Sequence, residues 1–138
     1  MQRTLILVKP DAVRRSLIGE VLSRFERKGL KIVAMKMIHM DRKLAESHYA
    51  VHKDKPFFGE LVDFIISGPI VAAVIEGERA IEAARFVMGA TDPVKSNMGT
   101  IRGDLGLNIS NNLVHGSDSE ENAAQEIANF FSEKDIVG

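Results

Sequence analysis

Two short, uninterrupted apolar runs constrain the fold of this chain more than any other feature of its sequence. The first covers residues 4–8 and is stopped by Lys9-Pro10, and the second covers residues 70–75 and ends at Gly77. Runs of this length are too short to cross a bilayer and are typical of strands buried in a sheet. The sequence therefore predicts a sheet that contains both runs as buried strands.

The segments around these runs predict the rest of the fold. A helix is predicted from Leu17 to Phe25, with Gly29 as its C-cap, and a second strand over residues 31–40. Further helices are predicted over residues 42–51, 56–66, 78–88 and after a capping box at 117–120, with a short last strand at 113–115. This order predicts an α/β (α+β) fold of the ferredoxin-like, split βαβ type, with a four-stranded antiparallel sheet and helices packed on one face.

Composition excludes several functional classes. The 138 residues are 45% hydrophobic and 27% charged, which predicts one globular domain over residues 1–138. The chain has no cysteine, which excludes disulfides, thiolate metal sites and a cysteine nucleophile. The net charge of −1 predicts no general attraction to nucleic acid or to an anionic membrane. No targeting or membrane segment is visible, so we expect a cytoplasmic protein.

The segment between residues 90 and 112 is rich in Gly, Asn, Asp, Thr and Ser and is predicted to be irregular. Long irregular segments in a small domain are usually functional or disordered. The glycine-rich phosphate-binding loops G-x-x-x-x-G-K-[ST] and G-x-G-x-x-G are both absent. If the chain binds phosphate, it does so by another arrangement, and Arg85, Thr91 and Arg102 are the candidate donors.

His115 is the most informative histidine, because it lies between a predicted strand and the start of a helix, next to Gly116. Free amides at a helix start face incoming anions, and glycine removes bulk beside the ring. Glu126, on the last predicted helix, could reach back and orient the ring. Local features alone leave two readings open: a functional histidine, or a loop histidine that caps the helix.

His48 and His52 are spaced i, i+4 on a predicted helix and could offer two ligands to a metal ion. No third ligand is evident in the sequence. We therefore expect surface histidines here and no metal bound by the protein itself.

The chain resembles the nucleoside diphosphate kinase family in its short bacterial form, over nearly its whole length. Each motif is weak alone, but together and in this order they are highly specific. The motifs are TLILVKPD at 4–11, HY at 48–49, KPFF at 55–58, SGP at 67–69, GATDP at 89–93, GTIRGD at 99–104 and NLVHGSDS at 112–119.

The resemblance implies transfer of the γ-phosphate of a nucleoside triphosphate to a nucleoside diphosphate. His115 would be the nucleophile and would form a phosphohistidine in a ping-pong mechanism. Gly116 would let the phosphate approach, while Glu126 and Ser117 would orient the ring. Tyr49 would support the histidine and Lys9.

The resemblance also implies a nucleotide site. Lys9 would neutralise charge near the transferred group, and Asn112 would hold the ribose. Phe57 would stack on the base. The other implied contacts are Arg85, Thr91 and Arg102 with the phosphates and Leu61 and Ile109 with the base. Mg²⁺ would arrive with ATP, GTP, GDP or another nucleotide, bound to its phosphates.

The resemblance further implies a homo-oligomer, either a tetramer or a hexamer. Met98, Leu105 and Asn111 depart from the residues common in the family, which bears on loop packing and assembly. Two other classes remain to be weighed: a catalytically silent nucleotide-binding domain and a ferredoxin-like nucleic-acid-binding module. The full set of implied site residues argues against the first, and the scarcity of exposed aromatic candidates argues against the second.

Overall fold

The computed structural model describes all residues from Met1 to Gly138 and contains one four-stranded sheet. The strands are β1 (Gln2–Val8), β2 (Lys31–Ile38), β3 (Ile70–Gly77) and β4 (Val114–Gly116). Their order is β2-β3-β1-β4, and every neighbouring pair is antiparallel. The predicted ferredoxin-like α+β class is therefore confirmed.

Seven α-helices surround the sheet. They are α1 (Pro10–Arg14), α2 (Ile18–Lys28), α3 (Arg42–His48), α4 (Phe58–Ile65), α5 (Ala80–Met88), α6 (Ile101–Leu105) and α7 (Glu120–Phe130). Helix α2 ends as predicted at Gly29, whose φ of 103° lies in the left-handed region that glycine tolerates. None of these helices has the length and apolar character needed to span a bilayer.

Both faces of the sheet are covered, so the expectation of helices on one face is wrong. Ile6 and Val8 pack in a cluster with α2, α5 and α6, whereas Leu5 and Leu7 pack in a second cluster with α3, α4 and α7. Successive side chains of a strand point to opposite faces, so an uninterrupted apolar strand must be buried on both. Burial on both faces of the sheet explains why these strands are apolar without interruption.

Several predicted boundaries change. Helix α4 begins at Phe58 rather than Pro56, and a 3₁₀ turn, Ala50–His52, replaces the end of the helix predicted to reach residue 51. The segment 90–112 is not irregular throughout, because it contains the 3₁₀ turn Pro93–Lys95 and helix α6.

The predicted capping box at 117–120 is also wrong. Ser119 is the N-cap of α7, and its hydroxyl accepts a hydrogen bond from the Asn122 amide at 3.1 Å. The position three residues after Ser119 is Asn122 rather than the Glu or Gln of a capping box.

The pair of strands β1 and β4, at one edge of the sheet, positions the candidate site. Strand β4 pairs with β1 so that His115 lies opposite Leu7, and the Lys9 amide donates to the Leu113 carbonyl at 2.9 Å. Leu113 is fully buried and has a φ of 74°, which is strained for a residue with a branched side chain. The Asp11 carboxylate supports this turn by accepting from the Leu113 amide at 3.1 Å.

Candidate active site

One cavity of about 1030 Å³ opens beside β4. It collects side chains from distant parts of the chain, which only the fold brings together. Of the twelve site residues predicted from the sequence, eleven line it: Lys9, Tyr49, Phe57, Leu61, Arg85, Thr91, Arg102, Ile109, Asn112, His115 and Glu126. The twelfth, Ser117, is buried behind the wall.

His115 is held by a carboxylate. Its Nε2 lies 2.7 Å from Oε1 of Glu126, and the same oxygen accepts a hydrogen bond from the Ser117 hydroxyl at 2.9 Å. A carboxylate accepts hydrogen bonds, so Nε2 carries the proton and Nδ1 retains a free lone pair. The His115 side chain is 23% exposed, which leaves the ring accessible from the cavity.

Lys9 and Asn112 form a second contact in the cavity. The Lys9 ammonium donates to the Asn112 side-chain oxygen at 2.8 Å, and the Asn112 amide donates to the Thr91 carbonyl at 3.1 Å. Burial, with a further contribution from the nearby Arg102 cation, lowers the pKa of Lys9 to about 8. This amine is therefore a cation at neutral pH whose charge is only partly compensated.

The two candidate phosphate-binding arginines differ in their surroundings. Arg102 is buried, and its guanidinium donates to the carbonyls of Asn112, Gly89 and Val114 at 3.1, 3.2 and 2.7 Å. Burial, and then the charge of Arg85, lowers its pKa to about 10. Arg85 is exposed and donates once, to the Gly116 carbonyl at 3.0 Å. Arg102 therefore also braces the backbone around β4.

Comparison with known proteins identifies the family. The family profile described as "Nucleoside diphosphate kinase" matches residues 2–136. The chain belongs to this family. A nucleoside diphosphate kinase of Dehalococcoides mccartyi is 61% identical over 137 residues, 99% of this chain and 96% of its own length. One of Archaeoglobus fulgidus is 57% identical over 99% of this chain and 91% of its own length.

Solved structures agree with this assignment. A nucleoside diphosphate kinase family protein from Babesia bovis superposes with a TM-score of 0.96 at 50% identity, over 100% of this chain and 93% of its own. The halophilic nucleoside diphosphate kinase of Halobacterium salinarum, solved in complex with CDP, gives a TM-score of 0.95 at 50% identity, over 99% and 91%.

The activity follows from membership of the nucleoside diphosphate kinase family. The chain is a phosphotransferase that moves the γ-phosphate of a nucleoside triphosphate to a nucleoside diphosphate, by the ping-pong mechanism through a phosphohistidine that this family uses. The alternative of a catalytically silent domain is set aside.

Gly116 has a packing role that the sequence did not reveal. A Cβ atom at this position would lie 2.6 Å from the Met88 sulfur, closer than real Cβ contacts allow. Its φ is not in the left-handed region, whereas that of the nearby Leu113 is. Glycine at 116 therefore lets Met88 of helix α5 pack directly against β4.

His48 is the functional-site residue that sequence reasoning placed wrongly. It is buried rather than on the surface, and its ring packs edge-on against His115 with centroids 4.7 Å apart. Tyr49 packs on His48 in turn, at 4.8 Å. Burial, and then the charge of Glu126, raises the pKa of Tyr49 to about 12. Tyr49 therefore contacts the nucleophile candidate through His48, and it makes no hydrogen bond to Lys9.

The base-binding candidates lie around the mouth of the cavity. Phe57 is 42% exposed and its ring lies 5.5 Å from that of His52, while Ile109 is 56% exposed. Leu61 is half-buried. Asn111, a departure from the family pattern, also lines this cavity, whereas Met98 is on the surface. Of the three residues that depart from the family pattern, Asn111 is thus the one that lines the cavity.

Proposed function

We propose that His115 is the residue that carries the phosphate, and that Nδ1 attacks. The observation that supports this most is the 2.7 Å contact between His115 Nε2 and Glu126, which leaves Nδ1 as the unprotonated nitrogen of a ring that lines the cavity. In the first half-reaction, a bond forms between Nδ1 and the γ-phosphorus while the bond from that phosphorus to the bridging oxygen breaks. The nucleoside diphosphate leaves with the electron pair, and the second half-reaction is the reverse with a new diphosphate.

Glu126 and Ser117 act on His115 by positioning it. As the imidazole gains positive charge during attack, the Glu126 carboxylate stabilises it through the Nε2 proton. The Ser117 hydroxyl, 2.9 Å from the same oxygen, fixes the carboxylate in turn. Tyr49 acts more remotely, through the ring of His48.

Lys9, Arg85 and Arg102 supply the charge for the phosphate chain. All three line the cavity that contains His115. Phosphoryl transfer passes through a loose transition state with charge on the phosphate oxygens, so fixed cations account for much of the catalysis. The two guanidinium N–H groups that Arg102 does not donate to carbonyls are free to join Arg85 and Thr91 around the β- and γ-phosphates.

The base is bound with little discrimination. Phe57 offers an exposed aromatic face, and Leu61 and Ile109 offer apolar contacts but no hydrogen bond to a base edge. Stacking tolerates every base because each has a π-face. Asn112 is expected to exchange its contact with Lys9 for the ribose hydroxyls when a nucleotide binds.

Mg²⁺ fits this site as an ion carried by the nucleotide. Two carboxylates of the cavity near His115 each have one oxygen that accepts hydrogen bonds: Glu126 from His115 and Ser117, and Asp118 from the side-chain amide of Asn122 at 2.6 Å. A hard cation held by protein alone requires several free oxygen ligands. Bound to the phosphates, the ion would neutralise part of their charge, while Lys9, Arg85 and Arg102 hold the phosphate chain in the cavity beside His115.

The assembly is proposed to be a homo-oligomer, tetramer or hexamer. Strand β2 is at the edge of the sheet and exposes Met35 and Met37, each 56% accessible. An open edge strand with apolar side chains favours pairing with another chain. Light scattering coupled to size-exclusion chromatography would measure the stoichiometry, and a monomer at enzyme concentrations would contradict the proposal.

The site of action is proposed to be the cytoplasm, where di- and triphosphates of several nucleosides coexist. Fractionation of source cells with an antibody against the chain would test this. Recovery in a membrane or exported fraction would contradict it.

Steady-state kinetics tests the assignment of His115. With ATP as donor and GDP as acceptor, the proposal expects parallel double-reciprocal lines, and loss of turnover in His115→Ala. His39→Ala is the matched control, because His39 lies away from the cavity and contacts the Ile66 carbonyl. Intersecting lines, or turnover that survives in His115→Ala, would show that phosphate does not pass through this residue.

A further inference from the structure

His48 is a buried polar side chain without a hydrogen-bond partner. The residue is 8% exposed, and both ring nitrogens are enclosed and unpaired. Its neighbours are the rings of Tyr49, His115 and Phe130. An unpaired buried polar group costs about 1–3 kcal/mol of folding free energy. A ligand that binds a ring nitrogen of His48 would remove this cost.

The surroundings of His48 fit a divalent transition-metal ion such as Zn²⁺. One donor atom from each of His48, His115 and Glu126 lies within 4.8 Å of the others. Two imidazoles and one carboxylate are a common ligand set for Zn²⁺ in proteins, with a fourth position left for water. Burial, and then the charge of His115, holds the pKa of His48 well below its usual range, so the ring is neutral and able to ligate.

We propose that His48, His115 and Glu126 form an inhibitory binding site for a divalent transition-metal ion, with Zn²⁺ as the representative. This proposal goes beyond the phosphotransferase reaction. The ion is distinct from the Mg²⁺ carried by the nucleotide, which prefers oxygen ligands.

The geometry requires a small adjustment. Ligands at about 2.0–2.2 Å around a tetrahedral ion lie about 3.3–3.6 Å apart, so the most distant donor must move by about 1 Å. Glu126 can contribute its second oxygen, because His115 and Ser117 both contact Oε1. The Lys9 cation is close enough to affect the pKa of His48, and its repulsion makes the site weaker than a structural zinc site.

Metal binding at this site would block the reaction at its first step. A metal on Nδ1 of His115 occupies the lone pair that attacks phosphorus. A metal on Nε2 removes the proton contact with Glu126 that orients the ring. In both cases His115 can no longer accept phosphate, and removal of the metal by a chelator restores it.

The test measures binding, without nucleotide, so that it does not depend on catalysis. Equilibrium dialysis of the full chain against ZnCl₂ should give one Zn²⁺ per chain in the wild type. His48→Phe keeps an aromatic ring of similar shape but has no nitrogen, and should weaken Zn²⁺ binding by at least about tenfold. His39→Phe is the matched control and should bind like the wild type, because His39 is outside the site.

Cobalt(II) on the wild-type protein gives a second readout that does not depend on any variant folding. The proposal expects the intense visible bands of four-coordinate Co²⁺, and their loss when Zn²⁺ is added. Absence of Zn²⁺ binding at up to about 100 µM free metal, equal binding by His48→Phe, or only the weak spectrum of six-coordinate Co²⁺ would each overturn the proposal. None of these results bears on the kinase assignment.

Discussion

Replacement of Lys9 by methionine should make the protein more stable and less active. In the folded chain the amine is enclosed, and its pKa falls from 10.5 to about 8, because burial and the Arg102 cation both disfavour the charge. At about 1.4 kcal/mol per pH unit, this difference means that the charged lysine costs about 3 kcal/mol of folding free energy at neutral pH. Methionine keeps the length of the side chain without the charge.

The gain in folding free energy from removing the Lys9 charge is partly offset by the loss of a hydrogen bond to Asn112. Its side-chain oxygen accepts from Lys9 at 2.8 Å, and loss of that buried hydrogen bond costs about 1–2 kcal/mol. The net expectation for Lys9→Met at pH 7 is a gain of about 1–2 kcal/mol, or about 3–8 °C in Tm. Lys43→Met, at an exposed position of α3, is the control and should change stability by less than about 0.5 kcal/mol.

The pH dependence has a defined sign. Between pH 8 and 10.5 the unfolded wild-type chain still holds the Lys9 proton, whereas the folded chain has lost it. The unfolding free energy of the wild type therefore rises with pH through this window. The stability advantage of Lys9→Met over the wild type disappears by about pH 10.5. Turnover of Lys9→Met should be lower by about 100-fold or more, because the cation at the transferred phosphate is gone.

Thermal unfolding at pH 7 and just above pH 10.5, with coupled-enzyme turnover of both variants, checks these values. A lower Tm for Lys9→Met at pH 7, or an advantage that persists above pH 10.5, would refute the reasoning about buried charge.

Three further predictions concern the arginines, Gly116 and the base. Arg102→Ala should lower turnover and also the unfolding free energy, because three hydrogen bonds from a charged donor, worth about 1.5–3 kcal/mol each, outweigh the cost of about 3 kcal/mol of burying that charge. Arg85→Ala should mainly lower turnover, since Arg85 is exposed and donates once. Denaturant unfolding and kinetics separate the two, and an unchanged stability of Arg102→Ala would contradict this. Gly116→Ala should lower Tm by its clash with Met88, and in a double-mutant cycle it should lower Tm less in a Met88→Ala background than in the wild type; an equal loss in both backgrounds would show that the clash is not the cause. ADP, GDP, CDP and UDP should all accept phosphate with kcat/KM values within about a hundredfold of one another, and a larger preference would show a hydrogen-bonded base readout.

The sheet could be predicted because its strands carry a strong signal. The apolar runs at 4–8 and 70–75 are buried on both sides in the structure, and Gly29 ends α2 as its position indicated. The same runs should have predicted helices on both faces, since a strand covered on one face alternates apolar and polar residues. Short helices such as α6 were missed because five residues hold less than two turns of periodicity.

Sequence motifs predicted which residues belong to the site but not how those residues contact one another. The resemblance named the residues that line the cavity, but spacing along the chain could not show which of them touch. His48 illustrates the limit: its i, i+4 relation to His52 suggested a shared exposed face, while in the structure the first is buried against His115 and the second is at the rim beside Phe57. The signal available in the sequence was the apolar residue Ala45, three positions earlier on the same helix face, which the structure buries.

A labelling experiment shows directly whether the transferred phosphate resides on His115. The full chain is incubated with γ-labelled ATP and Mg²⁺, separated from nucleotide, and digested for mass spectrometry under neutral conditions. We expect one label per chain on His115, stable in alkali, lost in mild acid as expected of a phosphoramidate, and transferred completely to added GDP. Acid-stable label on a residue such as Ser117, or turnover without any labelled protein, would contradict it.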